Sequence, residues 1–185
     1  MVLKIREKWK NLSDYLSDLK KKYRNKFKKV LTSTDNIEIK SLKYNDLVLY
    51  SDTIQNLFLQ VINESRFSGP LFNTSSFLSL IEQDIFKVYG FFISGELIAF
   101  SSEFYEDDIL YSYYVGFDKK LNNKTPIYSR MLIETIDHAI KIKVNKVVFG
   151  RTANEFKSNF GAVPIKSYVY IKFRSKFLNI FFNPI

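Results

Sequence analysis

Residues 85–117, IFKVYGFFISGELIAFSSEFYEDDILYSYYVGF, decide the fold of this chain. Three runs, 85–93, 96–105 and 109–117, are rich in aromatic and β-branched residues, which suit a pleated surface. The breaks between them, Ser94-Gly95 and Glu106-Asp107-Asp108, are short and turn-forming. Runs joined this tightly can only pair antiparallel, so the segment predicts a three-stranded meander of consecutive hairpins.

Working outward, the loop DKKLNNKT leads to a helix over about 125–143, with Ile127, Met131, Leu132, Ile136, Ala139 and Ile140 on one face. Thr125 is expected to cap it, with Pro126 at the first helical position. KVVFG (146–150) reads as a short buried strand and 153–160 as a short helix ended by Gly161. VPIKSYVYIKF (163–173) alternates and reads as a last strand, followed by the apolar tail KFLNIFFNPI. Upstream, 45–64 repeats apolar residues at helical spacing. SRFSGPLFNTSS reads as a loop, a short helix is expected at 75–83, and NIEIKSL (36–42) alternates as a strand. Residues 12–31 predict one amphipathic helix, its stripe formed by Leu12, Tyr15, Leu16, Leu19, Tyr23, Phe27 and Val30.

The order is helix, strand, helix, helix, meander, helix, strand, helix, strand. That is a mixed α/β fold, with a central, mostly antiparallel twisted sheet and helices on both faces. The helix between the meander and KVVFG is a crossover, so the fourth and fifth predicted strands should be parallel. The expectation is a single domain over 1–185, with a basic helical segment at 1–33 and an apolar tail at 177–185. Residues 1–10 read like an internal segment, so a longer parent protein is expected.

Composition removes several chemistries. Eighteen Phe and twelve Tyr exclude intrinsic disorder. No cysteine means no disulfide framework, no thiolate nucleophile and no cysteine-based metal centre; one histidine, His138, leaves no His-rich metal site and hardly a serine triad. No apolar run reaches the ~18 residues of a membrane span, and no signal-peptide pattern is visible, so the cytoplasm is the expected location. The net charge of +9 is uneven: residues 1–31 carry 11 Lys/Arg against 3 Asp/Glu, while the rest is nearly balanced. Such a segment either attracts phosphate or is simply a solvated helix face.

Gly150-Arg151-Thr152-Ala153-Asn154-Glu155-Phe156-Lys157-Ser158-Asn159-Phe160-Gly161-Ala162-Val163-Pro164 resembles the G-R-T-A-x-E-x-K-x-x-x-G-A-x-P segment of FemAB/FemX-type proteins of the GNAT acyltransferase superfamily. Ser13-Asp14-Tyr15-Leu16 to Lys22-Tyr23-Arg24 resembles that branch's D-Y-L…K-Y-R helix, and Asp118 through Leu121-Asn122 to Tyr128 and Met131 its crossover. The resemblance implies a GNAT-like fold and an N-acyltransferase. The donor would be acyl-CoA or, in a FemX-type reaction, aminoacyl-tRNA; a non-catalytic binding module is the further alternative. The acceptor it implies is an amine on a small molecule or glycan, in a cell-envelope or polysaccharide precursor. No metal or tightly bound cofactor is expected. The basic helix would meet tRNA in the second case, and the apolar tail would cover a core edge or a homodimer partner.

Two departures from the wider superfamily stand out. The Q/R-x-x-G-x-G/A loop, whose glycines let backbone N–H groups reach phosphate, is replaced by the glycine-free DKKLNNKTPIYSR. The tyrosine that serves as acid after the fifth strand is missing.

The resemblance sets out candidate roles. Lys119, Lys120, Lys124, Thr125 and Tyr128 would hold the donor, and backbone N–H groups at Tyr114, Val115 and Gly116 would polarise its carbonyl. Glu155 would be the base, or would only fix an ion-pair cluster with Arg151 and Lys157. Arg151 and Lys157, together with Lys22 and Arg24, are the candidate contacts to an anionic substrate. Glu103 is a second candidate base, against a solvent-facing reading; Tyr113 would line the acceptor groove, against core packing. His138 reads as a surface or capped core residue.

Overall fold

The two hairpin turns form where the sequence requires unusual backbone. Ser94 and Gly95 both take positive φ, 50° and 84°, the pairing a two-residue hairpin of native twist needs. Asp107 does the same at φ 50°. In the computed structural model, which describes residues 1–63, 73–82, 86–150, 152–166, 168 and 173–174, these turns join Phe86–Ile93, Glu96–Glu106 and Ile109–Phe117.

In chain order the elements are β1 (Val2–Lys4), α1 (Leu12–Asp18), α2 (Lys21–Ser33), β2 (Glu38–Leu42), α3 (Tyr44–Leu49), α4 (Ser51–Ile62), a 3₁₀ turn (Thr74–Ser76) and α5 (Phe77–Ile81). Then follow β3 (Phe86–Ile93), β4 (Glu96–Glu106), β5 (Ile109–Phe117), α6 (Lys119–Asn122), α7 (Ile127–Lys141), β6 (Lys146–Val148) and α8 (Asn154–Ser158). Among the described residues, one six-stranded sheet runs β1-β6-β5-β4-β3-β2. Every neighbouring pair is antiparallel except β5 and β6, the parallel pair the crossover requires. These are the fourth and fifth predicted strands; they become β5 and β6 because β1 precedes them.

Helices cover both faces. Phe58, Phe77, Phe86 and Phe100 fill the layer between the sheet and α3, α4 and α5. Tyr15, Phe27, Leu132, Ile136, Val147 and Phe160 fill the opposite layer under α1, α2 and α7. Tyr15 donates its buried hydroxyl proton to the Phe160 carbonyl at 3.0 Å, and Phe27 stacks on Phe160 at 4.2 Å.

The single helix expected over 12–31 is two. Leu19 and Lys20 have extended ψ values of 149° and 142°. Asp18 is drawn away from the helix by Lys8 at 2.6 Å, Trp9 at 2.7 Å and Arg6 at 3.1 Å, and Arg24 donates to the Ser17 carbonyl at 3.1 Å. The helix expected over 45–64 likewise breaks at Tyr50. α6 lies where a loop was expected, capped by the Asp118 carboxylate on the Leu121 amide. β1 was not anticipated: three residues carry no period, and their partner β6 lies more than 140 residues away.

Of the strand expected over 163–173, Val163 forms one bridge to Val2 and 164–166 form none. Residues 167 and 169–172 and the apolar tail from 175 onward lie outside the described residues.

Candidate active site

β5 and β6 pair only from Ile109 to Tyr111. From Ser112 to Phe117 that edge of β5 has no strand partner among the described residues. The other edge is fully engaged: Tyr114 gives its N–H to the Ser102 hydroxyl at 2.8 Å and accepts that hydroxyl's proton at 3.0 Å, and Asp118 donates to the Ile98 carbonyl at 2.9 Å. Backbone N–H groups alternate in direction along a strand, so Val115 and Phe117 aim theirs at the open edge.

A cleft of about 270 Å³ opens on this edge, lined by Val61, Val115, Phe117, Lys119, Tyr128, Thr152 and Ala153. It therefore gathers three residues expected at the donor: Val115, Lys119 and Tyr128. Phe117, Tyr128 and Phe156 form a stacked aromatic wall, with centroids 5.4 and 5.3 Å apart. Burial pushes the Tyr128 hydroxyl up to about 12, so it is a neutral hydrogen-bonding group at neutral pH.

Five donor expectations change. The Tyr114 amide is occupied by Ser102, which leaves Val115 as the carbonyl-polarising candidate of the three. Gly116 serves packing: a Cβ there would meet Phe100 at 2.4 Å and the α4 backbone at 2.6 and 2.7 Å. Thr125 does not cap α7. Pro126 holds the cap position, the Thr125 carbonyl accepts from Ile127 at 2.7 Å, and Asn122 takes the Tyr128 amide at 2.9 Å. Lys120 and Lys124 are exposed and do not line the cleft.

Opposite Ser102, β5 carries one extra residue, a bulge between the Ser101–Val115 and Glu103–Ser112 pairs. It sets consecutive tyrosines side by side. Tyr113 and Tyr114 rings are 4.4 Å apart, Tyr114 packs on Phe58, and Tyr113 reaches Phe86 while remaining 53% exposed. Burial first, then Tyr113, raises the Tyr114 hydroxyl pKa.

Glu155 is exposed in the first turn of α8, two residues beyond Ala153 in the cleft wall. Lys157, expected at a substrate, is only 4% exposed and gives its ammonium to the Phe149 carbonyl. Its aliphatic stem lies on the core side of a short helix, so it braces β6 against α8. Arg24 is tied to α1, whereas Lys22 is exposed. Arg151 lies outside the described residues.

Glu103 overturns its solvent-facing reading. It is 3% exposed and its carboxylate contacts the His138 Nδ1, with Tyr89 Oη 3.4 Å from the ring's Nε2. His138, read as bland, is thus the partner of a buried carboxylate. The pair lies under α7, in a separate 150 Å³ pocket with Ser101 and Asp137. Nothing in the local sequence joins a strand residue to a helix residue 35 positions on.

Residues 72–158 match the family model described as an acetyltransferase (GNAT) domain. Among solved structures, FemX aligns with a TM-score of 0.62 at 9% identity, over 82% of this chain and 52% of FemX. An aminoglycoside acetyltransferase from an uncultured soil metagenomic sample, in complex with sisomicin, aligns with a TM-score of 0.54 at 18% identity, over 76% of this chain and 98% of the other. A predicted acetyltransferase with acetyl-CoA from Clostridium acetobutylicum aligns with a TM-score of 0.56 at 12% identity, over 74% and 96%. A search of curated proteins finds no significant match. The architecture is GNAT-like. Among the described residues, no helix is long and apolar enough to cross a membrane.

Proposed function

We propose that this chain, a protein of GNAT-like fold, is an N-acyltransferase that moves an acyl group from acyl-CoA to the amine of a small acceptor. The observation that carries this reading is the open edge of β5: a stretch without a strand partner among the described residues, a Val115 amide aimed out of it and an aromatic-walled cleft beside it. An extended thioester donor can lie along such an edge as an added strand would, with its carbonyl oxygen on the Val115 N–H.

The chemistry follows from that placement. The neutral amine attacks the acyl carbon, a C–N bond forms, and the tetrahedral oxyanion gathers charge at the Val115 amide. The C–S bond then breaks and CoA leaves as the thiolate, to be protonated by water. With no cysteine in the chain, direct attack is the economical route. Glu155 takes the proton the amine sheds, and exposed Tyr113 offers an aromatic face to the acceptor. A sugar-borne amine is the acceptor class we favour. It agrees with the sisomicin held by one structural neighbour and with the polysaccharide or cell-envelope precursors implied by the sequence resemblance.

The test is amine-dependent release of CoA from acetyl-CoA, read across a panel of amino sugars. Glu155→Gln is expected to lower kcat by about 10²- to 10⁴-fold while the affinity for acetyl-CoA holds. An unchanged kcat removes Glu155 from the mechanism.

A further inference from the structure

The donor cleft is linked to a second groove through a chain of ring contacts. This one, about 470 Å³, is lined by Lys22, Asn25, Lys26, Lys29, Val30 and Ser33 of α2, and by Pro126 at the head of α7. The link runs through the aromatic wall. The Lys26 ammonium sits 5.5 Å over the Phe156 ring, Phe156 stacks on Tyr128, and Tyr128 lines the cleft. Lys22, Lys26 and Lys29 follow one another at helical spacing, so they form one stripe. α2 contains no acidic residue, and no carboxylate pairs with these three lysines among the described residues.

The usual alternative for gripping phosphate is partly engaged at α6 and α7. A helix N-terminus binds anions through its unpaired N–H groups. At α7, Pro126 has no N–H, the Ile127 N–H goes to the Thr125 carbonyl, and the Tyr128 N–H goes to Asn122. At α6, the Lys119 amide goes to Gln60 and the Leu121 amide to Asp118. The Ile127, Tyr128, Lys119 and Leu121 amides thus have protein partners, while three cations in the groove have no carboxylate partner among the described residues.

We infer that the α2 lysine groove holds the phosphates at the nucleotide end of the donor. Lys22, Lys26 and Lys29 supply the charge, Asn25 and Ser33 neutral hydrogen bonds, and the Phe156–Tyr128 wall separates this end from the thioester end. The inference rests on acyl-CoA being the donor.

The experiment is calorimetric titration of the full chain with acetyl-CoA and with acetyl-pantetheine, which lacks the nucleotide phosphates. The variant is K22E/K26E/K29E; the control, K10E/K21E/K28E, makes the same charge change at exposed positions outside the groove. All six positions are solvent-facing, and melting curves verify folding. The groove variant is expected to lose about tenfold or more in affinity for acetyl-CoA and to flatten its salt dependence, with the acetyl-pantetheine affinity unchanged. Equal losses in variant and control, or none, overturn the inference. If neither thioester binds the unaltered chain, the acyltransferase reading fails, and adenosine 3′,5′-bisphosphate then decides the groove alone. Binding that the groove variant abolishes upholds an anion site there; no binding overturns it.

Discussion

Gly116→Val is expected to destabilise the fold by about 3 kcal/mol or more, the upper end of what overpacking costs. The reason lies in which atoms stand in the way. A Cβ at this position would come within 2.4 Å of the Phe100 ring, 2.6 Å of the Phe58 nitrogen and 2.7 Å of the Leu57 carbonyl carbon. A ring can turn aside, but the other two contacts are α4 backbone, and a helix can yield only by moving as a body. α4 carries Phe58 and Leu57 into the core and Val61 to the cleft wall. Denaturant melts of Gly116→Ala and Gly116→Val should therefore show a graded loss, and the survivors should bind acetyl-CoA less tightly. Wild-type stability in both would mean that α4 does not cross β5 here.

The second large effect is one of pH. Burial pushes Lys157 down to about 8, from an ordinary value near 10.5. Between those values the unfolded chain keeps a proton that the folded chain has released. Unfolding then takes up a proton, so stability rises with pH across this window and is lost as pH falls back through 8. The expected gain is about 2 kcal/mol between pH 7 and 9.5, from urea melts at each pH. Stopping at 9.5 matters, because Tyr15 and Tyr89 are held above the usual tyrosine range by burial and would reverse the trend at higher pH. Lys157→Met should flatten the rise. A variant with the same slope as the parent would place the buried charge elsewhere.

These two residues also mark where the sequence was and was not legible. The meander, its two turns, the crossover and the parallel pair followed from alternation and turn chemistry, because they are local signals. Val115, Lys119 and Tyr128 were named together only through the family resemblance, and the structure brings these three to one cleft. Gly116 was visible as a glycine, but its crossing by α4 was not, since the contact lies 58 residues away. Lys157 read as a charged residue on a short helix. What decides its burial is the Phe149 carbonyl it reaches, and no local pattern encodes that. The solvent-facing reading of Glu103 failed for the same reason, as its partner His138 lies across the sheet–helix layer.

The break between α1 and α2 shows a different limit. Its apolar stripe is continuous through Leu19, and helix propensity alone favours continuation. What ends α1 is Asp18, held by Arg6, Lys8 and Trp9 from the preceding segment. The charge surplus at 1–31 was evident, but its concentration into one groove depends on α2 starting afresh and lying against α7.

The most direct measurement of the central claim is the melting temperature of the purified chain with and without acetyl-CoA at about a hundred times its dissociation constant. Binding in the β5 cleft predicts stabilisation by about 2.7 kcal/mol, a shift of several degrees that Tyr128→Ala removes. A melting curve unmoved by acetyl-CoA, CoA and longer acyl-CoAs would contradict an acyl-CoA-dependent transferase.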